Sequence, residues 1–176
     1  MKLPRKIVTL HRSLEQAAIP HAFGGALALA WCTQRARATI DIDLNLFVAP
    51  NHAVAVLAAL PAGVRVTDDD RARIERDGQV RLWWDETPVD VFFSTTDFHE
   101  RAAARVRQEP FLGADLPFLA CRDLAVFKAF FNRTRDWADL EEMAAAGRLD
   151  AEAVLGVLAH YLGGADPRVE RLRALA

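Results

Sequence analysis

Asp41 and Asp43 stand two residues apart in Ile40-Asp41-Ile42-Asp43-Leu44-Asn45-Leu46, where apolar and polar side chains alternate strictly. A period of two is the pattern of a half-buried strand, so Ile40, Ile42, Leu44 and Leu46 share one face and Asp41, Asp43 and Asn45 the other. Strands disfavour Asp and neighbouring like charges repel, so the placement calls for a compensating partner. A divalent cation is one such partner, since carboxylate oxygens are hard donors and Mg²⁺ carries phosphate oxygens with it. The plainer alternative is the wet face of an edge strand. Asp90 is a third acid of interest, alone between Val89 and Val91 in Pro88-Val89-Asp90-Val91-Phe92-Phe93. It is either an exposed strand position or, if that strand lies beside the first, a third donor converging on the pair.

Other residues could serve the same chemistry. Gly24-Gly25 precedes Ala26 to Cys32, a run of good helix formers, and reads as the turn into a helix. Paired glycines at a helix start let the backbone approach a ligand, and the free N–H groups there favour an anion. A plain turn is the competing reading. Lys128 is one of three lysines, with Lys2 and Lys6, and shares a helical face with Leu124, Phe127 and Phe131. A lysine so placed either snorkels to the edge or points into a cleft where an anion neutralises it. Asp136 reads as the N-cap of a helix beginning near Trp137, and Asp139 as an ordinary exposed acid.

These residues need elements to position them. Ile7, Leu10, Leu14 and Ala18 recur at helical spacing until Pro20 stops the pattern. An extended piece at 21–23, the helix after Gly25 and the strand over 40–46 follow. Pro50-Asn51 opens a helix ending near Pro61, residues 64–67 form a strand, and 71–77 a turn or short helix. Residues 79–84 and 89–93 form a hairpin joined through Asp85-Glu86-Thr87-Pro88, and Pro110, Gly113 and Pro117 mark a loop. Helices are expected over about 121–132, 136–146, 150–162 and 167–175. The order gives an α/β (α+β) fold: a small mixed sheet flanked by helices over residues 1–118, with a helical C-terminal part over 119–176 packed on it.

The 176 residues are 52% hydrophobic, which excludes disorder as the main state. The longest apolar run, Ala53 to Pro61, is far short of the ~20 residues that span a bilayer. No membrane association is expected, and the basic start, cut by His11 and Arg12, does not make a signal sequence. Cys32 and Cys121 form no CxxC pattern and read as small apolar fillers rather than a disulfide framework, which points to a cytoplasmic protein. The histidines show no i,i+4 pairing, which removes the helical zinc-hydrolase motif. The net charge of −2 hides a basic N-terminal stretch (Lys2, Arg5, Lys6, Arg12, Arg35, Arg37 against Glu15) and an acidic one over residues 41–70. No block is basic enough to imply nucleic-acid binding from charge alone.

Phe23-Gly24-Gly25, then Arg37-Ala38-Thr39-Ile40-Asp41-Ile42-Asp43-Leu44, then Val89-Asp90-Val91-Phe92 resemble the three core motifs of the DNA polymerase β-like nucleotidyltransferase superfamily. The Arg-x-Thr-x-Asp-x-Asp form is similar to its minimal AbiEii-type branch, which contains toxins of abortive-infection and toxin–antitoxin systems. Asp123 to Lys128 and Arg135 to Leu140 look like that branch's helical motif, in which a Lys and a following Asp complete the active site. The resemblance covers residues about 20–142. It implies a nucleotidyltransferase core that moves NMP from an NTP to an acceptor hydroxyl on an RNA 3′ end (tRNA included), a protein or a small molecule, with an antitoxin as a further partner. Gly24 and Gly25 would hold the triphosphate, Asp41 and Asp43 would coordinate two Mg²⁺ ions, and Asp90 would be a metal ligand or proton acceptor. Arg37 and Thr39 would bind phosphate beside the metal pair, while Lys128 and Asp136 complete the site. The competing function is a non-catalytic nucleotide-binding or protein-interaction module on the same fold.

Overall fold

Helix α1 (Leu3–Gln16) forms where the helical spacing predicts it, burying Ile7, Leu10 and Leu14 on one face, with Pro4 in the first turn where a missing N–H does no harm. Lys6 is buried on the same helix. Its ammonium donates to the carbonyl oxygen of Trp84 at 2.6 Å and to the Thr87 hydroxyl at 3.0 Å, and pairs with Asp85 at 3.0 Å. In the computed structural model, which describes residues 1–35 and 37–175, the remaining elements of the first half are β1 (His21–Phe23), α2 (Gly25–Thr33), β2 (Ile42–Leu46), α3 (Ala53–Ala59), β3 (Val64–Arg65) and α4 (Asp68–Asp77). Helix α4 is closed by a reciprocal Thr67–Asp70 capping box and by Gly78 in the left-handed conformation.

Strands β4 (Gln79–Trp84) and β5 (Thr87–Phe93) form the expected hairpin, followed by α5 (Asp97–Ala103) and a second hairpin, β6 (Arg107–Phe111) with β7 (Ala114–Phe118). The seven strands make one mixed sheet in the order β3-β4-β5-β2-β1-β7-β6. At its centre β2 runs parallel to β5 and antiparallel to β1, and Ile42, Leu44 and Leu46 are fully buried with Val89, Val91 and Phe93 opposite them. This sheet belongs to one compact unit, Met1–Leu27 with Ala38–Leu119.

A second unit comprises Ala28–Arg37 and Ala120–Ala176. Its helices are α6 (Cys121–Phe131), α7 (Thr134–Ala145), α8 (Ala151–Leu162) and α9 (Pro167–Arg173), close to the ranges read from sequence. Trp137, Leu140 and Met143 of α7, Leu124 and Val126 of α6, Val154 and Leu158 of α8, and Val169 and Leu172 of α9 are buried. Asp150 and Asp166 cap α8 and α9 by accepting the N–H of Ala153 and Arg168.

Four expectations are corrected. The strand read over 40–46 begins at Ile42, leaving Ile40 78% exposed and Asp41 outside it. Pro88 holds the position of β5 that would face Asp41, and without an N–H it ends the ladder. The β4–β5 connection is two residues, Asp85 and Glu86, with Asp85 at φ +53°. The loop read around Pro110 and Pro117 is the β6–β7 hairpin, turning through Leu112 and Gly113, both at positive φ. Pro110 is tolerated because β6 is an edge strand. Finally, Cys32 and Cys121 are not fillers: they are joined in a disulfide, with Cα atoms 5.5 Å apart. The last turn of α2 meets the first turn of α6 only in the folded unit, so chain spacing carries no trace of it. Cysteine usage therefore no longer supports a reducing compartment. Among the described residues no helix is long and apolar enough to cross a membrane.

Closing a loop of 89 residues restricts the unfolded chain by roughly 4.6 kcal/mol in the chain-entropy picture. Cys32→Ser with Cys121→Ser is expected to lower the unfolding free energy by roughly 2–5 kcal/mol in urea titrations, and the native wild type should show no reactive thiol. Equal midpoints for wild type and variant would exclude the bond.

His11 and His21 give a second prediction. His11 Nδ1 lies 3.0 Å from His21 Nε2, and His21 Nδ1 is 2.8 Å from the Ile19 carbonyl oxygen, so two neutral rings can donate in series, His11 to His21 to Ile19. Burial lowers both pKa values; Glu15 opposes this at His11, and the Ile19 hydrogen bond opposes it at His21. Below about pH 6.5 the unfolded chain then binds protons that the folded chain refuses, so stability is full above that pH and falls as the pH drops. The thermal midpoint should fall between pH 7.5 and 5.5, and His21→Gln should flatten the slope. His99, also held low by burial, leaves a residual one.

Candidate active site

The parallel pairing of β2 with β5 places Asp43 directly opposite Asp90. Residues so paired project from the same face with side chains side by side. Asp41 precedes Asp43 by two residues, past the end of the ladder, and is fixed by Thr39: the Thr39 hydroxyl donates to Asp41 Oδ1 and lies 3.4 Å from the Asp41 N–H. Thr39 thus buttresses an acid.

The two glycines lie against these carboxylates. The Gly24 N–H donates to the Asp43 carbonyl oxygen at 2.9 Å, so that group is engaged within the fold. Gly25 opens α2 at φ +52°, and a Cβ there would stand 1.8 Å from Asp43 Oδ2 and 2.9 Å from Asp43 Cβ. A Cβ on Gly24 would meet Asn45 Nδ2 at 2.7 Å. The side chains of β2 thus lie close against the backbone of both glycines.

Sequence reasoning missed Arg81. In the β4–β5 hairpin Arg81 is the partner of Asp90, and its Nε and Nη2 donate to Asp90 Oδ1 and Oδ2, each at 2.7 Å. These hydrogen bonds raise the arginine's pKa, and the charges of Asp90, Asp41 and Asp43 act in the same direction. Arg81 therefore lies in the field of all three acids. The signal was in the sequence, in the length of the hairpin turn: a four-residue connection puts Trp83 opposite Asp90, whereas the two-residue turn puts Arg81 there.

The remaining predicted residues lie in the second unit and are brought together within it. Lys128 is buried and donates to Asp139 Oδ2 at 2.6 Å, with Asp136 Oδ1 at 3.8 Å. Arg37 pairs with the other oxygen of Asp139. Asp139, read as an exposed acid, is thus the buried hub between two cations. Asp136 is not the N-cap of α7 but its third helical residue, accepting the Arg133 N–H at 3.2 Å and the Arg133 Nε–H at 2.7 Å. The helix begins at Thr134, three residues earlier than expected.

Among the described residues no three carboxylate, imidazole or thiol groups stand together as a ready-made metal cluster. The side chains explain this: the Asp90 oxygens are turned to Arg81 and an Asp41 oxygen to Thr39. The donor set nevertheless fits a hard divalent cation. Asp43 and Asp90 are carboxylates on paired positions, Asp41 is a third carboxylate two residues from Asp43, and a cation, the Arg81 guanidinium, already stands on Asp90.

No family model matches the chain, and no curated protein sequence matches it. Solved structures do. The antibiotic-resistance factor ANT(2″)-Ia, crystallised in complex with adenylyl-2″-tobramycin, superposes with a TM-score of 0.62 at 16% identity over 98% of both chains. A solution structure of the same factor gives 0.56 at 11% identity over 90% of both chains. An antigenic nucleotidyltransferase-like protein from Paracoccidioides brasiliensis gives 0.54 at 14% identity, over 98% of this chain and 92% of that one. The fold is that of nucleotidyltransferases.

Gly25→Ala combines a left-handed backbone with a clash on Asp43, whereas Gly113→Ala meets nothing within 4 Å and carries only the backbone strain. Gly113→Ala should cost about 1 kcal/mol and Gly25→Ala roughly 2–4 kcal/mol in urea unfolding. Equal losses would mean that the Asp43 cradle yields freely.

Proposed function

We propose that the chain is an NTP-dependent nucleotidyltransferase of the AbiEii type, transferring NMP to an acceptor hydroxyl. The observation that carries this reading is the Asp43–Asp90 register, with Asp41 two residues away and Gly25 fitted against Asp43. The likeness to nucleotidyltransferase structures supports the fold, and the Arg37-x-Thr39-x-Asp41-x-Asp43 motif supports the branch.

Asp41 and Asp43 would hold Mg²⁺, with Asp90 as the third donor. When bound, such ions neutralise phosphate charge and that of the departing pyrophosphate. The rest falls to the protein. Thr39 fixes the orientation of the Asp41 carboxylate, and the Gly25 cradle fixes that of Asp43. Asp90 accepts the proton of the acceptor hydroxyl at a carboxylate oxygen as that hydroxyl oxygen bonds to the α-phosphorus and the bond from the α-phosphorus to pyrophosphate breaks, the pyrophosphate leaving with its electron pair. Lys128 and Asp136, which the family resemblance adds, sit in the second unit with Asp139 and Arg37; the Asp43–Asp90 register that carries the proposal lies within the first unit.

Calorimetry with each NTP should show binding only with Mg²⁺, abolished by Asp41→Asn with Asp43→Asn. Transfer of label from NTP, assayed against RNA, protein and small-molecule fractions of a cell extract, should fall by about 10³-fold or more in the same variant, as the loss of several kcal/mol of charge stabilisation requires. Binding that ignores both Mg²⁺ and the variant would overturn the proposal.

A further inference from the structure

We infer that Arg81 is a built-in counter-ion to the acidic site, occupying Asp90 until a divalent cation displaces it, so that the carboxylate set loads fully only when nucleotide is present. The inference rests on the function proposed above. Two carboxylates side by side on paired strands repel, and a third lies two residues away. The hairpin places a cation among these acids. The Asp85-Glu86 turn sets Arg81 opposite Asp90, and both guanidinium N–H groups on that side engage both oxygens of the carboxylate. This fork-to-fork geometry is available to Arg and not to Lys.

The same pair is built to release. The Arg81 side chain is 51% exposed, while that of Asp90 is 16% exposed. The guanidinium can therefore leave into water with little loss, whereas Asp90 stays in place as the ladder partner of Asp43. An ion pair with one exposed partner contributes little net stability, so it yields to a divalent cation that brings phosphate oxygens with it, and resists one arriving alone. Arg81 is thus a positioning residue: its fork holds the Asp90 carboxylate aimed while the site is empty, and it sets the threshold for metal.

Mn²⁺ titration without nucleotide, following the free-ion signal by electron paramagnetic resonance, reads this directly and needs no turnover. Arg81→Gln is expected to tighten Mn²⁺ about tenfold, and the gain should vanish in Arg81→Gln with Asp90→Asn. Arg81→Lys keeps the charge but loses the fork and should tighten Mn²⁺ by a smaller factor, which leaves the inference testable if the glutamine variant does not fold. Equal Mn²⁺ affinity in wild type and folded Arg81 variants, with binding still lost in Asp43→Asn, would overturn the inference and leave the proposed function standing. Absence of any Asp43-dependent Mn²⁺ binding in all of these proteins would overturn the inference, and its absence with NTP present as well would overturn the proposed function too.

Discussion

Two carboxylates set shoulder to shoulder on paired strands are the constraint around which the first unit is arranged. Parallel pairing of β2 with β5 makes Asp43 and Asp90 neighbours. Their mutual repulsion opposes the hydrophobic ladder of Ile42, Leu44, Leu46, Val89, Val91 and Phe93 that holds the same strands together. The ladder wins because its residues are wholly buried on the opposite face. The acids survive because each has a fixed support: the Gly25 backbone under Asp43, Thr39 on Asp41 and Arg81 on Asp90. Change the strand register by one residue and all these supports face the wrong side.

The second unit solves a different electrostatic problem. Lys128, Asp136 and Asp139 are all buried, and burying such groups is favourable only when charges are paired and hydrogen-bonded. Asp139 gives one oxygen to Lys128 and the other to Arg37, while Asp136 is held by Arg133 and lies within ion-pair range of Lys128. The cluster ties α6, α7 and the segment at Arg37 into one network.

Much of the fold was legible in the sequence because it rests on local periodicity. The α1 stripe, the acidic strand and the C-terminal helices all follow from spacing that a few residues fix. The acids of the candidate site were legible for the same reason. What escaped depends on contacts between distant segments or on a single turn residue. Two prolines concealed the β6–β7 hairpin, since tolerance for Pro110 depends on β6 being at the edge, a property of the assembled sheet. Asp139 looked like a surface acid because Lys128 and Arg37 reach it from other segments. Arg81 was hidden by two residues of turn length, which decide whether a tryptophan or an arginine faces Asp90.

The Cys32–Cys121 bond has a consequence for handling the molecule. The first unit's segment Ala38–Leu119 lies wholly between the two cysteines, so every strand except β1 is enclosed in one covalent ring. A protease that cuts once anywhere in that ring releases nothing, because both fragments remain linked through sulfur. On a non-reducing gel a singly nicked chain keeps its full mass, and separates into two pieces only after thiol treatment. Maps of exposed cleavage sites in this protein are therefore to be drawn from reduced samples.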